Sequence, residues 1–213
     1  MNRRDFSAAV ILATGAGALP LIATAQGATP VEGTQYLKVD PPVPPIAPGK
    51  IEVVEFFSYA CPHCAAFEPT LEPWAKKLPP DVVLRRVPAP FLMNAENFMR
   101  TYYTLETMGK VEDLQLKFFN AIHIEHQRLE KPADIAAFVA KNGVDSAKFL
   151  DNFNSFSVAT SVTRAKKLAA EYKLDSVPML TVQGRFKTSP SDAGSAENAL
   201  AVVDFLVQRA RKG

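Results

Sequence analysis

Cysteine is scarce in this sequence, because its 213 residues contain only two, Cys61 and Cys64, beside three histidines. So few cysteines exclude a scaffold held together by several disulfides. A closed zinc site usually takes four ligands, often from two C-x-x-C pairs, and the sequence contains one such pair. Metal binding through Cys61, His63 and Cys64 stays an alternative, but we expect no metal and no cofactor.

The sequence also lacks an excess of charge of one sign. Lysine and arginine number 24 against 22 aspartates and glutamates, which gives a net charge of +2. Proteins that bind nucleic acid or anionic membrane surfaces usually carry a large basic excess. We therefore expect no nucleic-acid partner. Beyond the N-terminus, the sequence has no run of roughly 18 apolar residues such as a membrane-spanning helix needs.

The first 25 residues have the composition of an export signal. Arg3 and Arg4 precede a run rich in alanine, valine, isoleucine and leucine, and an A-x-A cleavage sequence follows at 23–25. The paired arginines resemble the signal of the bacterial folded-protein export route, and the general secretory route accepts such a segment as well. We predict a signal peptide over 1–25 and export of 26–213, with an uncleaved membrane anchor as the alternative.

The segment 51–88 has the pattern of a β-α-β unit. The stretch IEVVEFF, at 51–57, is dense in β-branched and aromatic residues and short enough for a buried strand. A helical pattern then extends to about Leu78, and VVLRRVP at 82–88 predicts a second strand. Two strands joined in this way need a parallel sheet. The proline-rich stretch before them predicts an extended surface segment with an edge strand at 36–39.

Helical periodicity dominates the next part of the chain, because apolar residues recur three and four apart from 94 to 172. Roughly 80 residues is far more than a crossover between two strands needs. We therefore predict a helical subdomain inserted at about 92–173. Strand patterns return in PMLTVQG and RFKT, and an amphipathic helix is predicted at 196–211. The expected fold is one α/β domain, 26–213, with this insertion.

The two cysteines belong to the sequence C-P-H-C, where a strand is expected to end and a helix to begin. One helical turn brings the two sulfurs within disulfide reach. A disulfide that closes so short a loop contributes little stability, so a purely structural bridge is the weaker interpretation. Proline suits the first helical position, so Pro62 places Cys61 at the N-cap. Backbone N–H groups and the helix dipole lower a thiol pKa there, and Cys64 is expected to be the buried partner.

His63 and Glu55 complete the candidate catalytic residues. An imidazolium beside the Cys61 sulfur stabilises the thiolate but not the disulfide, which makes the disulfide a stronger oxidant. A surface histidine without a role is the alternative. Glu55 lies in an otherwise apolar strand, six residues before Cys61. It either relays the proton of Cys64 from the interior or lies on a solvated face near the strand end.

The sequence EFFSYACPHC, the helical insertion and SVPML together resemble the DsbA family of periplasmic thiol:disulfide oxidoreductases. The resemblance covers nearly the whole chain after the signal, and it implies a thioredoxin-like fold and a periplasmic location. It also implies that Val177 and Pro178 form a cis-proline dipeptide against the active-site sulfurs, where the Val177 main chain can pair with an extended substrate peptide. A trans proline that opens a strand is the alternative. Pro69 and Pro73 fall inside the predicted helix, where we expect a kink.

We therefore predict a dithiol oxidase that donates the Cys61–Cys64 disulfide to reduced, newly translocated polypeptides. The resemblance implies reoxidation by a quinone-linked membrane protein of the DsbB kind, and we expect a monomer. The nearest alternative is a disulfide isomerase or reductase of the same fold. The segment of about 25 residues before the first central strand is too short for a separate dimerisation domain such as isomerases often carry. A non-redox peptide-binding chaperone and a metal carrier are the remaining alternatives.

Overall fold

The computed structural model describes residues 29–213, so the predicted signal peptide lies outside the described residues. Five strands form one mixed sheet: β1 Leu37–Lys38, β2 Ile51–Phe57, β3 Val82–Pro88, β4 Met179–Val182 and β5 Phe186–Thr188. Their order across the sheet is β1-β5-β4-β2-β3. Only β2 and β3 pair in parallel within this sheet, and the other neighbouring strands are antiparallel. The α/β class predicted from the sequence is therefore the observed one.

The β-α-β unit follows the sequence pattern closely. β2 and β3 have the predicted bounds, and six of the seven β2 residues are buried. The intervening helix, α1, spans Pro62–Ala75 and so ends before the predicted limit near Leu78. Its last turn tightens, because the Lys77 and Leu78 N–H groups bond to carbonyls three residues back. Pro79 then disfavours a helical conformation at Leu78.

The edge strand is shorter than the predicted segment 36–39. β1 contributes two residues that pair with β5, and the Val39 N–H adds one bond to the Arg185 carbonyl. The proline-rich stretch begins directly afterwards, and prolines cannot supply further ladder donors.

Five helices separate β3 from β4 in the chain. They are α2 Ala95–Thr107, α3 Val111–His123, α4 Pro132–Lys141, α5 Ser146–Phe153 and α6 Phe156–Glu171. After β5 come α7 Pro190–Ala193 and α8 Ala196–Arg211. No helix within 29–213 has both the length and the apolar character needed to cross a bilayer.

Two apolar cores lie on the two faces of the sheet. One contains Val54 of β2 together with residues of α2 to α6, and the other contains Val53 of β2 together with residues of α8. α1 contributes to both, because Cys64 belongs to the first core whereas Phe67 and Leu71 belong to the second. Cys64, in the first turn of α1, therefore packs in the core formed with the helices that follow β3.

An aromatic cluster packs beneath the loop that joins β2 to α1. The Tyr59 ring lies 4.5 Å from the Phe118 ring and 5.2 Å from the rings of Phe57 and Phe119, measured between centroids. Edge and tilted contacts of this kind add about 0.5–1.5 kcal/mol each beyond the burial of apolar area. The cluster therefore fixes the loop immediately before Cys61 against α3.

α1 continues through both of its internal prolines. Pro69 and Pro73 are four residues apart and exposed, so they lie on the solvent side of the helix. Water can reach the carbonyl groups that lose their helical donors there. The predicted kink stays a prediction.

Candidate active site

Cys61 is the N-cap residue of α1, and Pro62 is the first helical residue. The Cys61 backbone is extended, with φ −92° and ψ 115°, and no side-chain hydrogen bond caps the helix. The first N–H groups of α1 are therefore left to face the Cys61 sulfur. Cys61 is 5% exposed and Cys64, one turn later, is 1% exposed, and both are free thiols.

The two thiols differ strongly in acidity. The pKa of Cys61 is lowered to about 6, first because the Cys64 thiol donates a hydrogen bond to the Cys61 sulfur. Burial opposes this, whereas the backbone N–H groups of Cys64 and His63 and the charge of His63 lower the pKa further. Burial raises the pKa of Cys64 far above its usual range. At neutral pH, Cys61 is therefore a thiolate and Cys64 a thiol.

The other residues predicted for the catalytic surface surround Cys61. Pro62 and His63 are exposed at the start of α1. The Val177 carbonyl oxygen lies 3.4 Å from Cys61 Sγ and accepts the thiol hydrogen when Cys61 is protonated. The Val177–Pro178 peptide bond is cis, and Pro178 is buried directly before β4. The structure thus brings together Cys61, Pro62, His63, Val177 and Pro178.

A buried charged cluster connects the sheet to α1. Glu55 of β2 stands opposite Arg86 of β3 in the parallel register, and Glu55 Oε2 lies 3.1 Å from Arg86 Nε. Arg86 Nη2 lies 2.8 Å from Glu68 Oε1 and 2.9 Å from Glu72 Oε2, both on α1. We call these four residues the Arg86 cluster. Glu55 is 1% exposed, so the structure places it in the interior and not on a solvated face.

Three carboxyl groups share one guanidinium in the Arg86 cluster. Burial raises the pKa of Glu55 to about 8, because it outweighs the attraction of Arg86. Burial also raises the pKa of Glu68, again against the attraction of Arg86. Glu55 therefore holds a proton at neutral pH. When Glu55 is ionised, its charge raises the pKa of Cys64.

Two side chains of α3 bond to Tyr59, the residue two before Cys61. The Tyr59 hydroxyl donates to Gln115 Oε1 over 2.6 Å. His123 Nε2 lies 2.8 Å from the Tyr59 carbonyl oxygen, which accepts its hydrogen. His123 is half-buried, whereas His126, beyond the end of α3, is exposed. α3 therefore supports the active-site loop from beneath.

Known proteins resemble this chain over most of its length. The thioredoxin family model matches residues 47–201. The thiol:disulfide interchange protein DsbA of Pseudomonas aeruginosa is 44% identical over 84% of this chain and 85% of its own. The corresponding protein of Bordetella parapertussis is 47% identical over 87% of this chain and 89% of its own. The chain belongs to the DsbA family.

Solved structures agree with this assignment to the DsbA family. The crystal structure of Pseudomonas aeruginosa DsbA superimposes with a TM-score of 0.82 at 43% identity, over 85% of this chain and 95% of that one. DsbA from Xylella fastidiosa gives a TM-score of 0.80 at 32% identity, over 87% of this chain and all of that one, 100%. The predicted thioredoxin-like fold and the predicted function as a disulfide-donating thiol:disulfide oxidoreductase are confirmed.

A groove of about 550 Å³ borders the redox pair on the side of the Val177–Pro178 peptide. His63 and Phe67 of α1 line one side, and Val177 and Met179 line another. The rest of the lining comes mainly from β5, α7 and the turn before α8, and it includes several serines, Asp175, Asp192 and Lys187. The groove is thus partly apolar near the sulfurs and more polar farther away.

Several residues of the site were not found from the sequence. Arg86, Glu68 and Glu72 surround Glu55, and Gln115 contacts the loop before Cys61. The signal for Arg86 was present, because an arginine in a strand predicted to lie beside β2 needs a buried partner. Gln115 gave no such signal. Among residues 29–213, no group of three His, Cys, Asp or Glu side chains could hold a metal ion.

Proposed function

We propose that this DsbA-family oxidoreductase transfers the Cys61–Cys64 disulfide to reduced polypeptides that have been exported to the periplasm. The observation that carries the proposal is the difference in acidity between the two thiols. A stable Cys61 thiolate favours the reduced pair and makes Cys61 a good leaving group. A pair whose reduced form is stabilised in this way is an oxidant.

The first step is attack by a substrate thiolate on Cys61 Sγ. The sulfur–sulfur bond of the enzyme breaks, a mixed disulfide forms between the substrate and Cys61, and Cys64 leaves with the electron pair. Because burial disfavours a Cys64 thiolate, this sulfur needs a proton at once. The protonated carboxyl of Glu55 supplies that proton and becomes a carboxylate held by Arg86.

The second step releases the oxidised substrate. A second substrate thiolate attacks the substrate sulfur of the mixed disulfide, and Cys61 leaves as a thiolate. Substrate loses two electrons and the enzyme gains them, as Cys61 thiolate and Cys64 thiol. The charge of His63 and the N–H groups of His63 and Cys64 stabilise this leaving group.

The substrate peptide lies in extended form beside Val177 in this proposal. The Val177 carbonyl borders the Cys61 sulfur, and Phe67 and Met179 give the adjoining groove part of its apolar lining. Main-chain pairing recognises no particular side chain, which suits an enzyme that acts on many unfolded polypeptides. Reoxidation by a quinone-linked membrane protein of the DsbB kind belongs to the same proposal and is implied by the family.

The redox potential of the Cys61–Cys64 pair tests the proposal. The protein is equilibrated with mixtures of reduced and oxidised glutathione, and free thiols are alkylated and counted by mass spectrometry. A potential well above the value of about −270 mV for thioredoxin supports disulfide donation. A potential near that value would assign the protein to reduction or isomerisation instead.

A further inference from the structure

The peptide group between Tyr59 and Ala60 is held at both of its polar atoms. Its carbonyl oxygen accepts from His123 Nε2 over 2.8 Å, and its N–H donates to the Ser58 hydroxyl over 3.2 Å. The next peptide group is held as well, because the Cys61 N–H donates to the Ser58 carbonyl over 3.0 Å. Since a peptide group is planar, bonds at both of its ends fix its orientation. The main chain therefore enters Cys61 in one conformation.

Of these three bonds, only the one from His123 comes from another element, because Ser58 belongs to the same loop. His123 is the last residue of α3 and is half-buried. Its ring packs against the ring of Phe119, one turn earlier, with 6.3 Å between the centroids. Phe119 in turn contacts Tyr59 within the aromatic cluster. The imidazole is thus placed by α3 and not by the loop that it holds.

The bond from His123 does not depend on its charge. A carbonyl oxygen can only accept, so the imidazole must carry a hydrogen on Nε2. The neutral Nε2–H tautomer and the imidazolium both carry it. His123 therefore differs from His63, whose charge acts on the Cys61 sulfur.

We propose that His123 is a positioning residue for the redox reaction: its imidazole fixes the peptide group between Tyr59 and Ala60 and so holds Cys61 Sγ in front of the first N–H groups of α1. The inference deepens the proposed function and rests on it only for the consequence, a disulfide that is readily donated. His123 lies in the helical segment between β3 and β4, so this segment helps to set the reactivity of the redox pair.

The physical reason is that hydrogen bonds weaken steeply when their distance or angle departs from the optimum. Cys61 is the N-cap residue, and no side-chain hydrogen bond fastens it to the helix, so the preceding loop helps to hold it in place. If the peptide group before Ala60 can rotate, the Cys61 thiolate reaches positions farther from the helix N–H groups. In the oxidised protein the bond to Cys64 holds the same sulfur. Loss of the His123 bond therefore destabilises the reduced form more than the disulfide.

Two measurements on His123→Leu, which lacks the donor, test the inference. In equilibrium with glutathione, the equilibrium constant for reduction of the Cys61–Cys64 disulfide is expected to fall about threefold or more. The pKa of Cys61, followed by the ultraviolet absorbance of the thiolate, is expected to rise by about half a unit or more, which is the same change in free energy. If His123→Leu does not give a folded protein, His123→Met is measured in the same way.

A conservative variant separates the bond from the charge and the ring of His123. In His123→Gln the amide nitrogen occupies about the place of Nε2, donates a hydrogen and carries no charge. Both quantities are therefore expected to return toward the wild-type values. His126→Asn is the matched control, because His126 lines the same cavity of about 330 Å³ as His123. Asparagine tolerates the φ of 54° at that position, and neither quantity is expected to change.

The outcomes distinguish this inference from the proposed function. A loss in His123→Leu that His123→Gln restores supports the positioning role. Equal changes in the two variants would overturn it, and so would an unchanged pKa and equilibrium constant in His123→Leu, even if its free energy of unfolding falls. A wild-type redox potential near that of thioredoxin would instead reject disulfide donation. The comparison among the His123 variants is separate from that result, because each is measured relative to the wild type.

Discussion

Glu55 and Arg86 stand opposite each other in the parallel pair of β2 and β3, with Glu55 Oε2 3.1 Å from Arg86 Nε. An ion pair this deeply buried costs desolvation free energy on both sides, so it is weak evidence for stability. The influence of the Glu55 charge on the pKa of Cys64 gives the pair another role. The same arginine also bonds to Glu68 and Glu72, so one cation holds three carboxyls, and burial raises the pKa of Glu55 and of Glu68.

Glu55 makes the stability of the folded protein depend on pH. Its pKa is raised from the ordinary value of 4.5 to about 8, so the folded state binds more protons than the unfolded state between these values. The free energy of unfolding therefore falls as pH rises through this window, by at most about 1.4 kcal/mol per pH unit from this group. In Glu55→Gln that contribution is absent. Urea unfolding of the oxidised protein from pH 5 to 8 measures it, because the bridged thiols do not titrate.

The Glu55→Gln variant also tests proton delivery to Cys64. The amide can still accept from Arg86 but cannot give up a proton, so formation of the mixed disulfide with a small thiol slows by about tenfold to a hundredfold. Stopped-flow measurements between pH 6 and 8, corrected for ionisation of the attacking thiol, provide the rate. An unchanged rate would remove Glu55 from the reaction.

Cys64 is expected to lower the pKa of Cys61 more than His63 does. Cys64→Ala removes the donor to the Cys61 sulfur and raises the pKa of Cys61 by about one unit or more, whereas Cys64→Ser keeps a hydroxyl donor and changes it less. His63→Ala gives a smaller rise than Cys64→Ala. The ultraviolet absorbance of the thiolate, followed against pH, measures the pKa of Cys61 in all three variants. A larger rise in His63→Ala than in Cys64→Ala would show that His63 lowers the pKa more than Cys64 does.

Loss of the nucleophile separates the enzyme from a peptide-binding chaperone. Cys61→Ser is expected to reduce oxidation of a dithiol peptide to the uncatalysed rate, because the remaining Cys64 is buried and has no partner with which to form the disulfide that the enzyme donates. Cys64→Ser keeps the nucleophile, and it accumulates a mixed disulfide when its Cys61 thiolate attacks a peptide disulfide. Mass spectrometry of the quenched mixtures identifies the species. Full suppression of aggregation by Cys61→Ser, with no oxidation by the wild type, would favour the chaperone interpretation.

Removal of Arg86 tests the charge balance of its cluster. Arg86→Met leaves Glu55 and Glu68 without a cation, whereas Glu72 keeps Lys76, and it lowers the free energy of unfolding at pH 7 by about 3–5 kcal/mol. Because the carboxyls can then be neutralised by protons, the loss becomes smaller at pH 5. Arg211→Met is the matched control: Arg211 bonds to Asp81 at the surface, and no measurable change is expected. Equal losses of unfolding free energy in the two variants would contradict the role of Arg86 in balancing the charge of its cluster.

Local signals in the sequence predicted the elements that carry the redox pair. β-branched and aromatic density defined β2 and β3, and the proline after Cys61 marked the start of α1. These features act within a few residues, so one sequence is enough to recognise them. The early end of α1 and the short β1 depend on backbone hydrogen bonds at the termini of those elements, which composition alone does not specify.

Long-range contacts of the site could not be predicted in the same way. Gln115 is 56 positions away from Tyr59, and Arg86 is 31 positions away from Glu55. Which side chains meet over such separations depends on how the helices pack, and no local pattern records it. The sequence analysis also did not predict the hydrogen bond from the Cys64 thiol to the Cys61 sulfur, although the C-x-x-C spacing is compatible with it. The helix N-terminus and His63 are enough to predict an acidic Cys61, so the pattern did not call for a further donor.

The uncapped start of α1 links the redox state of the protein to its resistance to unfolding. Contacts that favour the Cys61 thiolate exist in the native chain and are lost when the chain unfolds, whereas the disulfide gains nothing comparable from them. Folding and reduction form a closed thermodynamic cycle. A contact that favours the thiolate over the disulfide in the folded protein must therefore increase the free energy of unfolding of the reduced form by the same amount. When the enzyme donates its disulfide, these contacts therefore stabilise its folded state. This increase in the free energy of unfolding is part of the driving force that oxidises the substrate.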